Sequence, residues 1–154
     1  MAELLDTLLT PSSLEMHYRF RASPERLFQA WTQPELLRQW FRVHPDYSTP
    51  IADVDLRVGG QFRLGMRSPE GEDVIAFGEY REIEAPNRLA FTWKWESAPP
   101  EMAPTLVSLE FREQEAGTEI VLLHEHLISE EQRDNHLDGW IGCLTSLSVL
   151  DNPK

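Results

Sequence analysis

The sequence predicts an α+β fold in which a curved antiparallel sheet of about six to seven strands wraps around one long C-terminal helix. Most of the chain from residue 51 to 125 alternates apolar and polar residues in short runs separated by turn residues, which is typical of antiparallel strands. Ser129, followed by Gln132, forms a capping box that opens a helix long enough to cover such a sheet. Pro24 and Pro34 each follow a capping residue after the first strand and predict two short helices.

The first element of the chain is expected to be a short amphipathic lead-in over residues 1–12. Its leucines recur at helical spacing until Pro11 ends the pattern, so one or two helical turns packed on the domain are predicted. Contact with a second subunit is the alternative. The leucines are Leu4, Leu5, Leu8 and Leu9.

The predicted strands follow from period-two alternation. The first runs from Leu14 to Arg21 and has one apolar face. Glycines at 59 and 60 mark a turn after a short strand at 52–56, and a second turn at 68–71 precedes a longer strand at about 73–83. Residues 89–96 show the cleanest alternation, and residues 105–113 and 117–125 form a final hairpin. The closing helix is predicted to bury a stripe of apolar residues, which are Leu137, Trp140, Ile141, Leu144, Leu147 and Val149.

Composition excludes several classes of function. With 154 residues, 41% hydrophobic and 26% charged, the chain is long enough to bury a core without disulfides. Its net charge of −12 repels a phosphate backbone and an anionic membrane surface, so neither nucleic acid nor membrane is expected as a partner. Cys143 is the only cysteine, and the N-terminal residues show no signal-peptide pattern, so a cytoplasmic location is expected.

Five segments in this order resemble the START-like, or SRPBCC helix-grip, superfamily, and within it the bacterial homologues of the activator of heat shock protein 90 ATPase. The segments are Ala-Trp-Thr-Gln-Pro-Glu-Leu at 30–36, Asp-Leu-Arg-Val-Gly-Gly-Gln-Phe at 55–62, Pro-Asn-Arg-Leu-Ala-Phe-Thr-Trp at 86–93, His-Glu at 124–125 and Gly-Trp at 139–140. The resemblance implies a single domain over residues 1–154, with its core at 13–150 and an internal cavity. Two segments depart from this resemblance. Relatives often have Gly-Pro directly after the positions of Trp40 and Phe41, where this chain has Arg42-Val43. They often have Gly-Phe at positions 126–127, where this chain has His126-Leu127.

The residues predicted to contact a ligand are mainly aromatic. The apolar face of the strand at 89–96 carries more aromatic volume than a core strand needs, and aromatic walls are typical of small-molecule sites. Core filling is the alternative, which we favour for Phe91 and Trp31. Trp40 is predicted at the cavity entrance and Trp140 at its roof. The predicted ligand-binding residues are Trp40, Phe62, Met66, Phe77, Trp93, Trp95, His124 and Trp140.

His124 is the one candidate for catalysis. Period two from Ile120 places its imidazole inward, where it either anchors a ligand or acts as a general base, or is a hydrogen-bonded core group. His126 and His136 lie near it in the sequence. A zinc site needs three or four converging ligands, however, and the sequence contains no known zinc motif, so no metal is expected. No nucleophile elbow, phosphate loop or dinucleotide motif is found, and no cofactor is expected.

Three functions are therefore considered. The first is binding of a small hydrophobic molecule by a monomer or homodimer. The second, implied by the resemblance, is a chaperone-binding protein that stimulates an ATPase. The third is a cyclase- or hydrolase-type enzyme acting in the same cavity, for which His124 is the only inward acid–base candidate.

Overall fold

A computed structural model describes residues 3–151 and confirms the α+β class. A curved antiparallel sheet packs against one long helix near the C-terminus, and two short helices connect the second and third strands. The strands are β1 (Glu3–Thr10), β2 (Ser13–Phe20), β3 (Ser48–Val54), β4 (Gln61–Arg67), β5 (Asp73–Glu84), β6 (Arg88–Trp95), β7 (Thr105–Gln114) and β8 (Gly117–Glu125). The helices are α1 (Pro24–Thr32), α2 (Pro34–Trp40), α3 (Glu130–Ser146) and a 3₁₀ helix (Leu147–Leu150).

The strand order is β1-β2-β8-β7-β6-β5-β4-β3, and each neighbouring pair is antiparallel. Among the described strands, β2 and β8 are the one neighbouring pair that is not consecutive in the chain. This pairing joins β2, the first strand predicted from the sequence, to the final hairpin of β7 and β8. β1 and β3 form the two edges of the sheet. The concave face of the sheet carries the core and packs against α1, α2 and α3.

The prediction for the lead-in is wrong, because residues 3–10 form the edge strand β1 instead of a helical turn. Pro11 and Ser12 make a two-residue turn, Thr10 pairs with Ser13, and β1 then runs antiparallel to β2. Short leucine pairs fit both a helical and an extended pattern, and pairing with β2 decides between them. This strand is the addition that brings the sheet to eight strands. Residues 1 and 2 of the predicted lead-in lie outside the described residues.

The two short helices begin where capping was predicted. The Ser23 hydroxyl accepts a hydrogen bond from the backbone N–H of Arg26 at 3.2 Å, and Pro24 follows as the first helical residue. Gln33 caps α2 only through its backbone conformation, since its side chain makes no capping bond. The strand predicted at 52–56 begins earlier, at Ser48, and ends at Val54, because residues 55–60 form a hydrogen-bonded turn.

The long helix α3 starts at the predicted capping box, where Ser129 Oγ accepts from the N–H of Gln132 at 3.0 Å. The predicted stripe is buried or half-buried at every position from Leu137 to Leu147. Val149 is the exception, with 63% exposure. The α-helix ends at Ser146, and the tighter 3₁₀ turn that follows rotates Val149 away from the sheet. Within residues 3–151, no helix has the length and apolar character needed to cross a bilayer.

Candidate functional site

An apolar space lies between the concave face of the sheet and α3. It has a volume of about 380 Å³, which is within the range of small-molecule sites. β4 and β6 supply one wall, α3 supplies the opposite wall, and the segment after α2 closes one side. We call this space the main cavity; it is lined by Phe41, Val43, Met66, Trp93, Trp95, Asn135, His136, Asp138, Gly139, Trp140 and Cys143.

Four of the predicted ligand-binding residues line the main cavity. Alternation along β6 directs Trp93 and Trp95 to the same face, and their ring centroids are 5.3 Å apart in an edge-to-face arrangement. Trp140 reaches down from α3 to within 5.2 Å of the Trp93 ring, and Met66 fills the wall from β4. The aromatic strand and the C-terminal Gly-Trp segment are thus adjacent in space.

Phe62 lies behind this wall. It contacts Phe91 and Tyr80 and lines a much smaller void of about 10 Å³, which is close to the volume of one water probe. Trp31 and Trp93 also border this void. We call it the small void.

Phe77 does not face the cavity, so its predicted position is wrong. It pairs with Arg63 and Lys94 on the outer face of the sheet and is 38% exposed. The inward face of β5 carries Ala76, Gly78 and Tyr80 instead. A Cβ atom at Gly78 would stand 1.8 Å from the backbone carbonyl oxygen of Thr92 on β6 and 2.7 Å from the Phe62 ring, so only glycine fits there.

Trp40 is also displaced from its predicted position at the entrance. It is completely buried, and its indole Nε1–H donates to the backbone carbonyl of Ala30 at 2.8 Å. Its ring packs against Trp31 and Phe41. Trp40 therefore joins α1 to α2, and Phe41, the next residue, is the one that reaches the main cavity.

His124 lies inward, as the alternation of β8 predicts, and it is fully buried. Its Nδ1 accepts from the indole N–H of Trp140 at 3.0 Å. Its Nε2 lies 2.7 Å from the hydroxyl of Thr105, which itself donates to the carbonyl of Trp93 at 2.9 Å. Because that hydroxyl proton is already used, Nε2 must carry the proton and donate it to Thr105. Both nitrogens of His124 are therefore engaged, and neither has a lone pair free for a substrate.

His136 has a parallel role that the sequence reasoning missed. Its Nδ1–H donates to the backbone carbonyl of Gln132 at 2.8 Å, which leaves Nε2 to accept from the indole N–H of Trp95 at 3.1 Å. The imidazoles of His136 and His124 are in edge-to-face contact at 4.9 Å. The signal that could have found it is its spacing of four residues from Trp140, which places both side chains on one face of α3.

Burial keeps both histidines neutral. It lowers the pKa of His124 well below its ordinary value, and the nearby His136 lowers that pKa further. Burial also lowers the pKa of His136, against a smaller opposing effect of its bond to the Gln132 carbonyl. The neutral forms are the ones that can accept from Trp140 and Trp95, so each imidazole positions one tryptophan of the cavity wall.

The segment after α2 approaches α3 closely at a glycine. A Cβ atom at Gly142 would stand 2.0 Å from the backbone carbonyl oxygen of Val43, whereas one at Gly139 would make ordinary contact at 3.6 Å. Only glycine at 142 lets the backbones meet, and this contact holds Phe41 and Val43 against the main cavity. These two residues, with Asn135 and Asp138, were not singled out from the sequence because they lie outside the periodic runs.

Two buried indole N–H groups have no acceptor among the side chains and backbone of residues 3–151. They belong to Trp93, which borders both the main cavity and the small void, and to Trp31, which borders the small void. Other indoles of the site, those of Trp95 and Trp140, are paired with histidines. Buried polar groups usually find a partner, so these two indoles are exceptions among the described residues.

Metal binding has no support among the side chains of the described part of the chain. No group of three or more histidine, cysteine or acidic side chains there is arranged to hold a metal ion. The thiol of Cys143 is buried, and burial raises its pKa far above the ordinary value, so it lines the cavity as an apolar, protonated group.

The two segments expected to depart from related sequences lie in different parts of the structure. His126 is in the turn that leads from β8 to α3, and its backbone has φ of 69°, in the left-handed region where glycine is most at ease and histidine is tolerated. Val43, in the other segment, lies in the wall of the main cavity.

Comparison with known proteins gives a consistent picture. The family model described as "Activator of Hsp90 ATPase homolog 1-like protein" matches residues 21–150. A comparison with curated proteins gives no significant match.

Solved structures share the fold over nearly the whole chain. A protein from Chromobacterium violaceum is 21% identical, with a TM-score of 0.83, and the match covers 94% of this chain and 100% of that one. A Nitrosomonas europaea protein is 26% identical, with a TM-score of 0.78 and coverage of 93% and 96%. A protein from Silicibacter pomeroyi, described as AHSA1, is 25% identical, with a TM-score of 0.78 and coverage of 90% and 96%.

Proposed function

The chain belongs to the family of activator of Hsp90 ATPase homolog 1-like proteins, and from this premise we propose that it binds a small hydrophobic molecule in the main cavity. The observation that carries the proposal is the wall of four aromatic side chains around a space of about 380 Å³, which are Phe41, Trp93, Trp95 and Trp140. We further infer that residues 1–154 act as one domain in the cytoplasm.

Burial of apolar surface supports the proposal. An aromatic molecule that buries roughly 200 Å² of apolar surface gains about 5 kcal/mol from leaving water. The Trp93 and Trp95 rings already make an edge-to-face contact, and a planar ligand can extend the same arrangement.

The histidines enter this proposal as positioning residues. His124 holds Trp140 and His136 holds Trp95, so the two imidazoles fix both walls of the cavity. The geometry disfavours His124 as a general base, because both of its nitrogens are engaged. Binding without chemistry is therefore supported better than a cyclase or hydrolase activity.

The test is native mass spectrometry of protein purified gently from its own host, followed by extraction and identification of bound molecules. We expect one apolar small molecule at near-stoichiometric occupancy. Gly139→Leu should abolish that occupancy, because the new side chain extends beside Val43 into the cavity. Val149→Leu, which adds bulk at an exposed position, is the control. Full occupancy in folded Gly139→Leu would place any ligand elsewhere.

The second candidate function is stimulation of a chaperone ATPase, and the description of the matching family supports it. Adding the protein to an Hsp90-class chaperone from the same host should then raise its rate of ATP hydrolysis. The Gly139→Leu variant separates the two functions, since a chaperone contact on the outer surface does not need an open cavity. If neither the wild type nor the Gly139→Leu variant changes the rate of ATP hydrolysis by the chaperone, this candidate function is contradicted.

A further inference from the structure

A second space lies next to the main cavity, against the loop that connects β6 to β7. It has a volume of about 210 Å³, and the loop beside it spans residues 96–104. We call it the loop space. On the loop side its apolar lining consists of Ala98, Pro99, Met102 and Ala103. These four residues are not part of the lining of the main cavity, so the loop space is a separate compartment.

The two spaces follow one another along α3. The main cavity contacts this helix between residues 135 and 143, whereas the loop space contacts it at Gln132 and His136. His136, one helical turn after Gln132, is therefore the helix residue at the boundary. Among the described residues of the sheet, Trp93 and Trp95 line both spaces. Residues that line two spaces lie between them, so the boundary runs from the end of β6 to α3.

A hydrogen bond closes this boundary. The indole Nε1–H of Trp95 donates to Nε2 of His136 at 3.1 Å, so the two side chains together bridge the sheet and the helix. His136 is fixed from behind, because its Nδ1–H donates to the Gln132 carbonyl at 2.8 Å and its ring lies edge-to-face against that of His124 at 4.9 Å. The Trp95 ring is likewise in edge-to-face contact with Trp93 at 5.3 Å. Both halves of the boundary are thus supported by neighbouring rings.

From this arrangement we propose that Trp95 and His136 form an end wall that limits the length of the ligand, so that the site takes compact, ring-sized apolar molecules and not long-chain lipids. This inference rests on the proposed function, because it names the ligand class that the main cavity accepts. At about 1.5 Å per helical residue, the cavity runs for about 10 Å along α3 from His136 to Cys143. An extended chain of about eight carbons, at ~1.2 Å per bond, has that length. A longer chain would have to break the bond between Trp95 and His136 or extend into solvent.

A series of uncharged 1-alkanols measures this limit, because each methylene group that is buried contributes a similar gain in affinity. The probes are 1-butanol, 1-hexanol, 1-octanol, 1-decanol and 1-dodecanol. Each is titrated against bound N-phenyl-1-naphthylamine, whose fluorescence decreases when it leaves an apolar site. For the wild type we expect the Kd to fall roughly four-fold for each added methylene while the chain still fits the cavity. The Kd should stop falling near 1-octanol, where the chain reaches the end wall.

Two variants open the end wall from opposite sides. Trp95→Ala removes its sheet half and His136→Ala its helix half, so in each variant the Kd should continue to fall from 1-octanol to 1-dodecanol. The chain length at which the Kd stops falling is the measured quantity, because the loss of a wall contact weakens all probes together. Met102→Trp is the matched control, since it adds bulk to the loop space alone. By itself it should change no Kd, and combined with Trp95→Ala it should return the limit to 1-octanol.

The outcomes distinguish this inference from the proposed function. If the wild-type Kd falls steadily through 1-dodecanol, the end wall does not limit length, and the inference fails while the cavity remains a binding site. The same conclusion follows if folded Trp95→Ala and His136→Ala, checked by thermal melts, keep the limit of the wild type. A gain in Trp95→Ala that survives Met102→Trp would show that longer chains do not enter the loop space, which also overturns the inference. If neither N-phenyl-1-naphthylamine nor any alkanol binds the folded wild type at its solubility limit, the proposed function fails as well.

Discussion

At the scale of single residues, histidines of this protein respond to acid in opposite directions. His17 lies on the outer face of the sheet, with Nδ1 at 2.6 Å from Glu119 and Nε2 at 2.6 Å from Glu15. Partial burial lowers its pKa, but hydrogen bonds to Glu119 and Glu15 and their negative charges outweigh this, so the pKa is raised overall. Only the doubly protonated imidazole can donate to both carboxylates and so join β2 to β8.

We therefore expect His17→Gln to matter more in mild acid than in base. A raised pKa in the folded state contributes stability that is present below the ordinary value of about 6.5 and is lost as pH rises through the folded value. Thermal melts at pH 5.5 and pH 9 should show a larger decrease in Tm for His17→Gln at pH 5.5. His44→Gln, at an exposed histidine, is the control. A Tm gap that grows toward pH 9 would show that the carboxylates do not hold a cation here.

His124 is expected to behave in the opposite way. Its pKa is lowered in the folded state, so it contributes stability above the ordinary value of about 6.5 that is lost as pH falls toward the folded value. His124→Gln should cost about 1–3 kcal/mol near pH 7.5, because its partners Trp140 and Thr105 lose well-placed hydrogen bonds. Denaturant unfolding should show that cost shrinking at pH 5. A cost that is absent at pH 7.5, with ligand binding lost, would instead make His124 a ligand-contacting residue.

The sequence predicted a side chain's position correctly where the alternation of its own strand shows which side of the sheet it faces. It failed where packing against another element decides this. Alternation alone places Trp93, Trp95 and His124 inward. Phe77 was misplaced because the sequence of β5 alone does not show which face is inward, and the close approach of the Thr92 carbonyl and the Phe62 ring to Gly78 marks that face. His136 was missed because its role depends on Trp95, a residue on β6 that is distant in the sequence.

At the scale of elements, the shape of the cavity depends on how closely the segment after α2 meets α3. Gly142→Ala places a methyl group 2.0 Å from the Val43 carbonyl, so one backbone must move, at a cost of about 1–3 kcal/mol. Gly139→Ala, one turn earlier in the same helix, has room for its Cβ and should gain up to about 1 kcal/mol of helix propensity. Chemical denaturation of both variants measures the difference.

The sign of that difference is informative because the two substitutions are chemically identical. Stabilisation by both would mean that the backbones do not meet at Gly142 in solution. Loss of ligand occupancy in Gly142→Ala is expected as well, since Phe41 and Val43 would be displaced from the cavity wall.

Elements were predictable from the sequence where a local stop or start signal was present. The caps at Ser23 and Ser129 place α1 and α3, and the long runs of alternation place β6, β7 and β8. The lead-in failed because leucine pairs fit either periodicity. The Pro11-Ser12 pair before an alternating strand was the signal for a hairpin, but its meaning depends on β2 accepting a partner along its free edge.

At the scale of the whole molecule, the two edges of the sheet are protected to different degrees. β3 contains Pro50, and the Arg38 guanidinium from α2 donates to the carbonyl of Ala52 at 3.3 Å. β1 has neither lysine nor proline along Glu3–Thr10, and its leucines are 40–52% exposed. The exposed leucines of this edge favour pairing with another strand, whereas Glu3, Asp6, the register shift between Leu4 and Asp6 and the net charge of −12 oppose the approach of a second copy.

Which effect dominates depends on salt, because charges separated by more than the Debye length, about 10 Å at 0.1 M, are largely screened, whereas backbone pairing and leucine contacts are not. We therefore expect sedimentation velocity to show monomer at low ionic strength and a growing dimer fraction at 0.5 M salt. Leu8→Lys places a charge on the β1 edge and should remove the dimer, while Val149→Lys makes the same charge change at an exposed site on the 3₁₀ helix and should not. Both variants change the net charge equally, so only the position of the new lysine differs between them. A dimer that persists in Leu8→Lys, or that is lost in both variants, would place the association on another surface. The exposed leucines of β1 would then have no partner strand.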